Sequence, residues 1–190
     1  MPQVLKDEVR NRILQAAEDV FYEKDYSSAK LSEIAEKASV PVALIYTYFK
    51  NKEVLFDSIV HSVYENFEAG LQEEESLISG NPSERFEKAG ESYVLSLLKM
   101  RKKLIILMDK SGCTKHAKAK DDLIAKMQEH IEEGLKRESK EKYDPMLSHI
   151  LASNFTEGLL EIARHYQGFE WAKNIFKLLA QCYYYGVNSL

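Results

Sequence analysis

Lys30, Ser32, Tyr46, Thr47, Tyr48 and Lys52 set ammonium and hydroxyl donors into one short stretch of chain. Groups of this kind bond phosphate oxygens or the polar edges of bases. Around them lie two short helical patterns, about Leu31 to Ala38 and about Val42 to Phe49. Ser39-Val40-Pro41 forms a tight break between the two. That is the layout of a helix-turn-helix, whose second helix enters the major groove of DNA.

No other constellation carries chemistry. Cys113 and His116 have metal-pair spacing, but no two further ligands lie in range, so no metal is expected. His61, His130, His149 and His165 are scattered over separate helical patterns. There is no glycine-rich phosphate loop and no nucleophile elbow. The chain therefore reads as neither an enzyme nor a cofactor protein.

The elements that must position these residues are all helical. The 190 residues are 45% apolar and 29% charged, enough to bury a substantial core. Eight glycines and four prolines favour long helices over a turn-rich sheet. Two isolated cysteines make no disulfide framework, so a reducing cytoplasm is expected. No apolar run spans a membrane, and the start of the chain lacks the apolar core of a signal peptide. The net charge of −4 gives no general affinity for nucleic acid, and residues 1–52 balance eight Lys/Arg against eight Asp/Glu.

Val9, Ile13, Ala16, Ala17, Val20 and Phe21 form one stripe of a helix over about Lys6 to Lys24. Pro41 stands where a helix tolerates its missing N–H. Leu55, Phe56, Ile59, Val60, Val63, Tyr64 and Phe67 mark a long fourth helix from Asn51-Lys52 to about Leu71. Asn81-Pro82-Ser83-Glu84 reads as a cap, an N1 proline and a glutamate at N3. Apolar patterns follow at Phe86–Leu98 and Leu104–Met108, then a helix over about Ala119 to Glu138. Lys136 to Lys142 is a solvated charged segment. Asp144-Pro145 opens another helix, whose stripe Leu147, Leu151, Asn154, Phe155, Gly158, Leu159, Ile162 and Ala163 runs on to Tyr166. Gly168 is its expected C-cap. A last helix carries Ala172, Ile175, Phe176, Leu179, Cys182 and Tyr183. The fold expected is all-α with about nine helices, an N-terminal helix-turn-helix domain over 6–66 and a helical domain over 67–190.

From Arg12 to Phe56 the chain resembles the TetR family of bacterial one-component transcription regulators. The resemblance rests on Ile13-Leu14, Ala16-Ala17, Phe21, Tyr26, Ile34-Ala35, Val40, Ile45-Tyr46, Tyr48-Phe49, Lys52-Glu53 and Leu55. Members usually carry glycine where this chain has Asp25, Ser39 and Ala43, and Ser or Thr where it has Lys30. Ser39 sits where a left-handed backbone is wanted. Lys30 cannot accept N–H bonds as a cap, so Glu33 must help the second helix start.

The resemblance implies phosphate contacts from Lys30, Tyr46, Tyr48 and Lys52. Of the two tyrosines, one is expected to pack between helices and the other to reach the DNA backbone. Base reading falls to Ser32, Val42, Ala43, Leu44 and Thr47, mostly by apolar contact with thymine methyls. DNA shape carries part of the specificity, because no Arg or Asn stands there for a bidentate contact. Arg10 and Arg12 either add backbone contacts or form a solvated helix face.

The resemblance further implies a homodimer through the last two helices, with Leu151, Phe155, Gly158, Leu159, Ile162, Ile175, Leu179 and Cys182 at the interface. Such a dimer reads a palindromic operator in double-stranded DNA with half-sites about 34–36 Å apart. The other reading of these stripes is plain monomer core. Middle helices of the family enclose a small-molecule effector. Tyr93, Leu97, Met100, Leu104, Met108, Met127, Phe155 and Tyr166 are the candidate lining, with core packing as the competing role. Lys99 to Lys120 holds eight Lys/Arg against Asp109 alone, suited to an anionic or amphipathic ligand or to a solvated face. The function expected is a repressor released from its operator by a small molecule. The alternatives are a ligand-sensing dimer with weak or lost DNA binding, and a helical carrier or enzyme.

Overall fold

Ile13, Ala16, Ala17, Val20 and Phe21 fall on one stripe of α1 (Gln3–Glu23), and all are buried. The computed structural model describes residues 3–77, 79–138, 142–187 and 189, and among them there is no strand. After α1 come α2 (Leu31–Lys37), α3 (Val42–Tyr48) and α4 (Lys52–Ser76). α5 (Pro82–Arg85) passes through a π-helical turn, Phe86–Gly90, into α6 (Glu91–Lys99). α7 (Arg101–Asp109), α8 (Ala119–Glu138), α9 (Pro145–Arg164) and α10 (Phe169–Val187) complete the order. With the run from Pro82 to Lys99 taken as one helix, the all-α reading and its helix number agree with the described residues.

The helix starts follow local chemistry. The Asn81 side chain accepts the Glu84 N–H at 3.0 Å while Glu84 accepts the Asn81 N–H at 3.2 Å, a closed capping box before Pro82. The Asp144 carboxylate accepts the Met146 N–H at 2.8 Å, ahead of Pro145 at N1. The helix ends are less local. α9 stops at Arg164, short of Gly168, which takes a φ of 122° and opens α10 through the Ala172 N–H to its carbonyl. α4 runs past Leu71 to Ser76. Part of the charged stretch 136–142 lies outside the described residues.

The chain divides into two compact units. The first is Met1–Tyr64 with Lys102–Ala117, and the second is Glu65–Arg101 with Lys118–Leu190. The chain passes from the first unit to the second within α4, after Tyr64, and residues 102–117 count with the first.

In the first unit, Phe56 meets Phe21 edge-on at 5.1 Å and Tyr26 at 5.2 Å. Ile34, Ala35, Ala38, Ile45 and Phe49 close the core beneath α2 and α3, and Leu104 to Leu107 of α7 are buried with them. In the second unit α8 packs on α9 and α9 on α10. Phe86, Phe155 and Phe176 form its aromatic centre. A Cβ at Gly158 would lie 2.8 Å from the Leu179 Cδ2, so a side chain there would displace the end of that leucine.

Candidate nucleic-acid interface

The turn between α2 and α3 is built by Ser39. Its φ is 54°, its N–H donates to Glu36, and the Val40 N–H donates to Ala35. These two bonds close a Schellman turn, with serine in the place that glycine fills more easily. The turn seats α3 with Ile45 and Phe49 inward. Val42, Ala43, Tyr46 and Thr47 face solvent, Tyr46 at 54% exposure, while Leu44 and Tyr48 are half-buried. Of the two tyrosines, Tyr46 therefore reaches outward and Tyr48 packs. No acidic residue stands between Ala38 and Lys52, so the outward face of α3 carries no charge that repels phosphate.

α2 starts without a side-chain acceptor at its cap. The Lys30 N–H donates to the Glu33 carboxylate at 3.2 Å, and Lys24 grips the same side chain at 2.7 Å. The Lys24 ammonium and the Lys30 N–H hold the Glu33 carboxyl below its usual range. Lys30 and Ser32 remain exposed at the first turn. The preceding loop is tied together by Asp25. Asp25 accepts the Ser28 N–H at 2.7 Å and the Ser27 hydroxyl at 2.8 Å, which brings its carboxyl down to about 2. Asp25 needs no left-handed backbone, since Ser39 and Cys113 are the non-glycine residues with positive φ.

Lys52, expected from sequence to meet a phosphate, turns part of its donor set inward. Its ammonium donates to the Tyr26 carbonyl at 2.7 Å and the Ala29 carbonyl at 3.0 Å, half-buried over the Tyr26 ring. Two of its three donors are thus engaged inside the unit. Asn51 caps α4 instead, accepting the Val54 N–H at 2.8 Å. Arg10 lies over the Phe49 ring at 5.5 Å, and Arg12 is exposed.

Residues 102–117 bring four lysines and one acid to the first unit. Lys102 meets Asp19 at 2.6 Å and Lys115 meets Asp57 at 2.5 Å. His116 bonds Asp57 through Nε2 at 2.8 Å and Tyr64 through Nδ1 at 3.0 Å. Burial pushes the Asp57 carboxyl up, but its bonds to Lys115 and His116 outweigh that and hold it below the usual range. His116 is thus a bridge to α4, while Cys113 is exposed. No cluster of metal-binding type occurs among the described residues. No local pattern announces this bridge, which joins residues 59 and 52 positions apart.

The effector candidates do not gather in one unit. Leu104 and Met108 lie in the first, whereas Tyr93, Leu97, Met100, Met127, Phe155 and Tyr166 lie in the second. Leu97 and Phe155 are buried, and the Tyr93 hydroxyl donates to Glu73 at 2.5 Å. Tyr166 lies under the Arg101 guanidinium at 4.6 Å. The interface candidates divide as well. Phe155, Leu159 and Ile162 are buried within the single chain, Leu151 and Leu179 are half-buried, and Gly158 meets Leu179 of the same chain. Ile175 and Cys182 are exposed, on a stripe with Leu178 and Tyr185 that sequence reading left out. Met146 and Ile150 of α9 are exposed too. No helix among the described residues is long and apolar enough to cross a membrane.

Residues 13–59 match the bacterial regulatory proteins of the tetR family. The HTH-type transcriptional regulator YhgD of Bacillus subtilis is 26% identical over 171 residues, 85% of this chain and 83% of that protein. The chain spans about a third of the length of other curated relatives, which include an activator and a repressor. Two solved structures share the fold. One is NalD of Pseudomonas aeruginosa, the secondary repressor of the MexAB-OprM multidrug efflux pump. It is 23% identical with a TM-score of 0.61, covering 94% of this chain and 97% of its own. The other is the regulator FadR of Bacillus subtilis in complex with stearoyl-CoA. It is 19% identical with a TM-score of 0.59, covering 89% and 96%.

Proposed function

The chain belongs to the tetR family of bacterial regulatory proteins, and on that premise we propose that it is a sequence-specific DNA-binding transcription regulator, a cytoplasmic repressor that leaves its operator when a small molecule binds. The observation that carries the reading is the outward face of α3. Val42, Ala43, Tyr46 and Thr47 stand in solvent on a helix whose other face is buried, on a stretch with no acidic residue. An exposed apolar helix face of this kind suits thymine methyls in a major groove, and the Tyr46 hydroxyl suits a phosphate. Lys30 and Ser32 add a second contact at the start of α2.

Two copies are needed to read a palindrome. Ile175, Leu178, Cys182 and Tyr185 recur at steps of three and four along α10 and are exposed, with Leu178 at 58% and Tyr185 at 78%. Single exposed apolar residues are ordinary, but a continuous stripe supports a partner. We assign the homodimer contact to this stripe with Met146 and Ile150 of α9, and leave Phe155, Leu159 and Ile162 to the core. The effector site is assigned to the second unit, around Tyr93, Leu97, Met100, Met127 and Tyr166. The FadR complex with stearoyl-CoA supports a fold that accepts a small-molecule effector. Release is then a coupling free energy between two sites.

The test is selection of genomic DNA fragments by the purified protein at near-physiological salt. A recovered palindrome is the expected result. Salt-sensitive binding with no sequence preference, or no binding, overturns the regulator reading and leaves the helical second unit as a carrier or enzyme to be assayed for ligands.

A further inference from the structure

We propose that His116 is a positioning residue for operator binding, setting the DNA-reading helices through Asp57 and Tyr64 of α4; the inference rests on the regulator reading above. Asp57 and Tyr64 are seven residues apart, two turns on one face of a helix. A single imidazole therefore spans two turns of α4, with Nε2 on one residue and Nδ1 on the other. An Nε2–H donating to Asp57 with Nδ1 accepting the Tyr64 hydroxyl satisfies both nitrogens. The ring also lies 6.0 Å from Phe56, whose own ring packs on Phe21 and Tyr26.

The loop that presents His116 is braced from within. The Ser111 hydroxyl donates to the His116 carbonyl at 2.9 Å, the Thr114 hydroxyl to the Ser111 carbonyl at 2.6 Å, and the His116 N–H to Thr114 at 3.0 Å. These bonds hold the imidazole where it is while Cys113 takes a φ of 64°. At the loop's other end the Lys110 carbonyl accepts the Tyr26 N–H at 3.0 Å. Tyr26 is also where Lys52 grips, and Ala29, its second hold, directly precedes Lys30. Segment 110–116 thus fixes both the helix that opens with Lys52 and the loop from which α2 starts. The phosphate-facing end of α2 takes its position from this clamp. Residues 13–59 alone do not contain it, although they carry every DNA contact expected of α2, α3 and the start of α4.

The test uses the full-length protein and the duplex recovered by genomic selection, with a scrambled duplex as control. His116→Ala should lose about tenfold in operator affinity, since two hydrogen bonds at about 0.5–1.5 kcal/mol each hold the clamp. Affinity for the scrambled duplex should fall less, since it loses phosphate contacts but no base reading. His116→Gln, which keeps a donor for Asp57, should recover part of the loss. Tyr64→Phe, which removes one hydroxyl, should lose a smaller part, and it decides the matter if His116→Ala does not fold. Hydrogen exchange of amides 26–32 should quicken in both His116→Ala and Tyr64→Phe. Unchanged operator affinity in both, with only a lower unfolding temperature, would make His116 purely structural and overturn the proposal. If the wild-type protein selects no operator, the regulator reading fails, and exchange at 26–32 still decides the positioning role. Faster exchange supports it and unchanged exchange sinks it.

Discussion

The Lys52 ammonium lies 2.7 Å from the carbonyl oxygen of Tyr26 and 4.3 Å from the centre of that residue's ring. The contact closes the loop between α1 and α2 onto the first turn of α4. A cation expected from sequence to meet DNA thus has two of its three donors inside the unit, and α2 starts from a loop held on both sides. Backbone carbonyls in a loop lack helix partners, and an ammonium with three donors can take two of them at once.

Lys52→Met should separate the two roles. Loss of a phosphate contact flattens the dependence of operator affinity on salt by about one unit of slope. Loss of a brace lowers affinity, by about tenfold, and leaves the slope as it was. The brace predicts the second outcome. A titration of operator binding from low to moderate salt reads it directly, and a slope reduced by one would return Lys52 to the DNA.

The tyrosines of α3 should part in the same assay. Tyr46→Phe removes a hydroxyl that faces solvent, and operator affinity should fall about tenfold if that hydroxyl bonds a phosphate. Tyr48→Phe removes one from a half-buried side chain and should change affinity by less than about twofold. Equal losses would mean that both hydroxyls reach DNA.

Helix starts were legible because their chemistry is local. Asn81 with Glu84, and Asp144 before Pro145, needed nothing beyond four residues of sequence. The strained turn at Ser39 was legible for the same reason. An apolar stripe is less informative, since it tells that a face is covered but not by what. Phe155 and Leu159 sit on such a stripe and face their own chain, while Leu178, outside the expected set, faces solvent. The His116 clamp was not legible at all, because no periodicity links a loop residue to positions 57 and 64.

Ser39→Gly should stabilise the protein. A left-handed backbone costs an L-residue about 1–2 kcal/mol, and glycine's extra freedom in the unfolded chain gives back about half of that. A net gain of about 0.5–1 kcal/mol is expected, read as a higher denaturation midpoint with an unchanged denaturant slope. A loss of stability would mean that the serine side chain contributes more than its backbone strain removes.

His130 supplies a pH dependence with a definite sign. Burial pulls its pKa down, but Glu74 at 3.3 Å and Glu75 at 3.2 Å outweigh that and raise it above the ordinary value. A raised histidine pKa means that the folded state binds the proton more tightly. The stabilisation is complete below about pH 6.5 and is lost as pH rises through the folded-state value. The unfolding temperature should therefore fall as pH is raised from about 6.5 toward the alkaline side. His130→Gln should flatten that part of the profile. A variant that keeps the full slope would assign it to other groups.

The exposed stripe of α10 gives the sharpest test of assembly. Leu178→Glu places a charge at the centre of that stripe without touching the core, so the single chain should keep its helix content and unfolding cooperativity. The homodimer should not survive, because a buried unpaired carboxylate is costly. Light scattering should then report the mass of one chain. Operator affinity should fall by a hundredfold or more, on the order of what linking two half-site contacts contributes. Phe155→Ala is the matched control on the other side of the same helix pair. It should cost about 3–5 kcal/mol of folding stability, as deletion of a buried aromatic does, and act through unfolding. If Leu178→Glu remains a dimer with full operator affinity, the partner lies elsewhere and the α10 stripe serves another contact. If Phe155→Ala dissociates the dimer while the chain stays folded, the interface reaches deeper between α9 and α10 than their burial in one chain indicates.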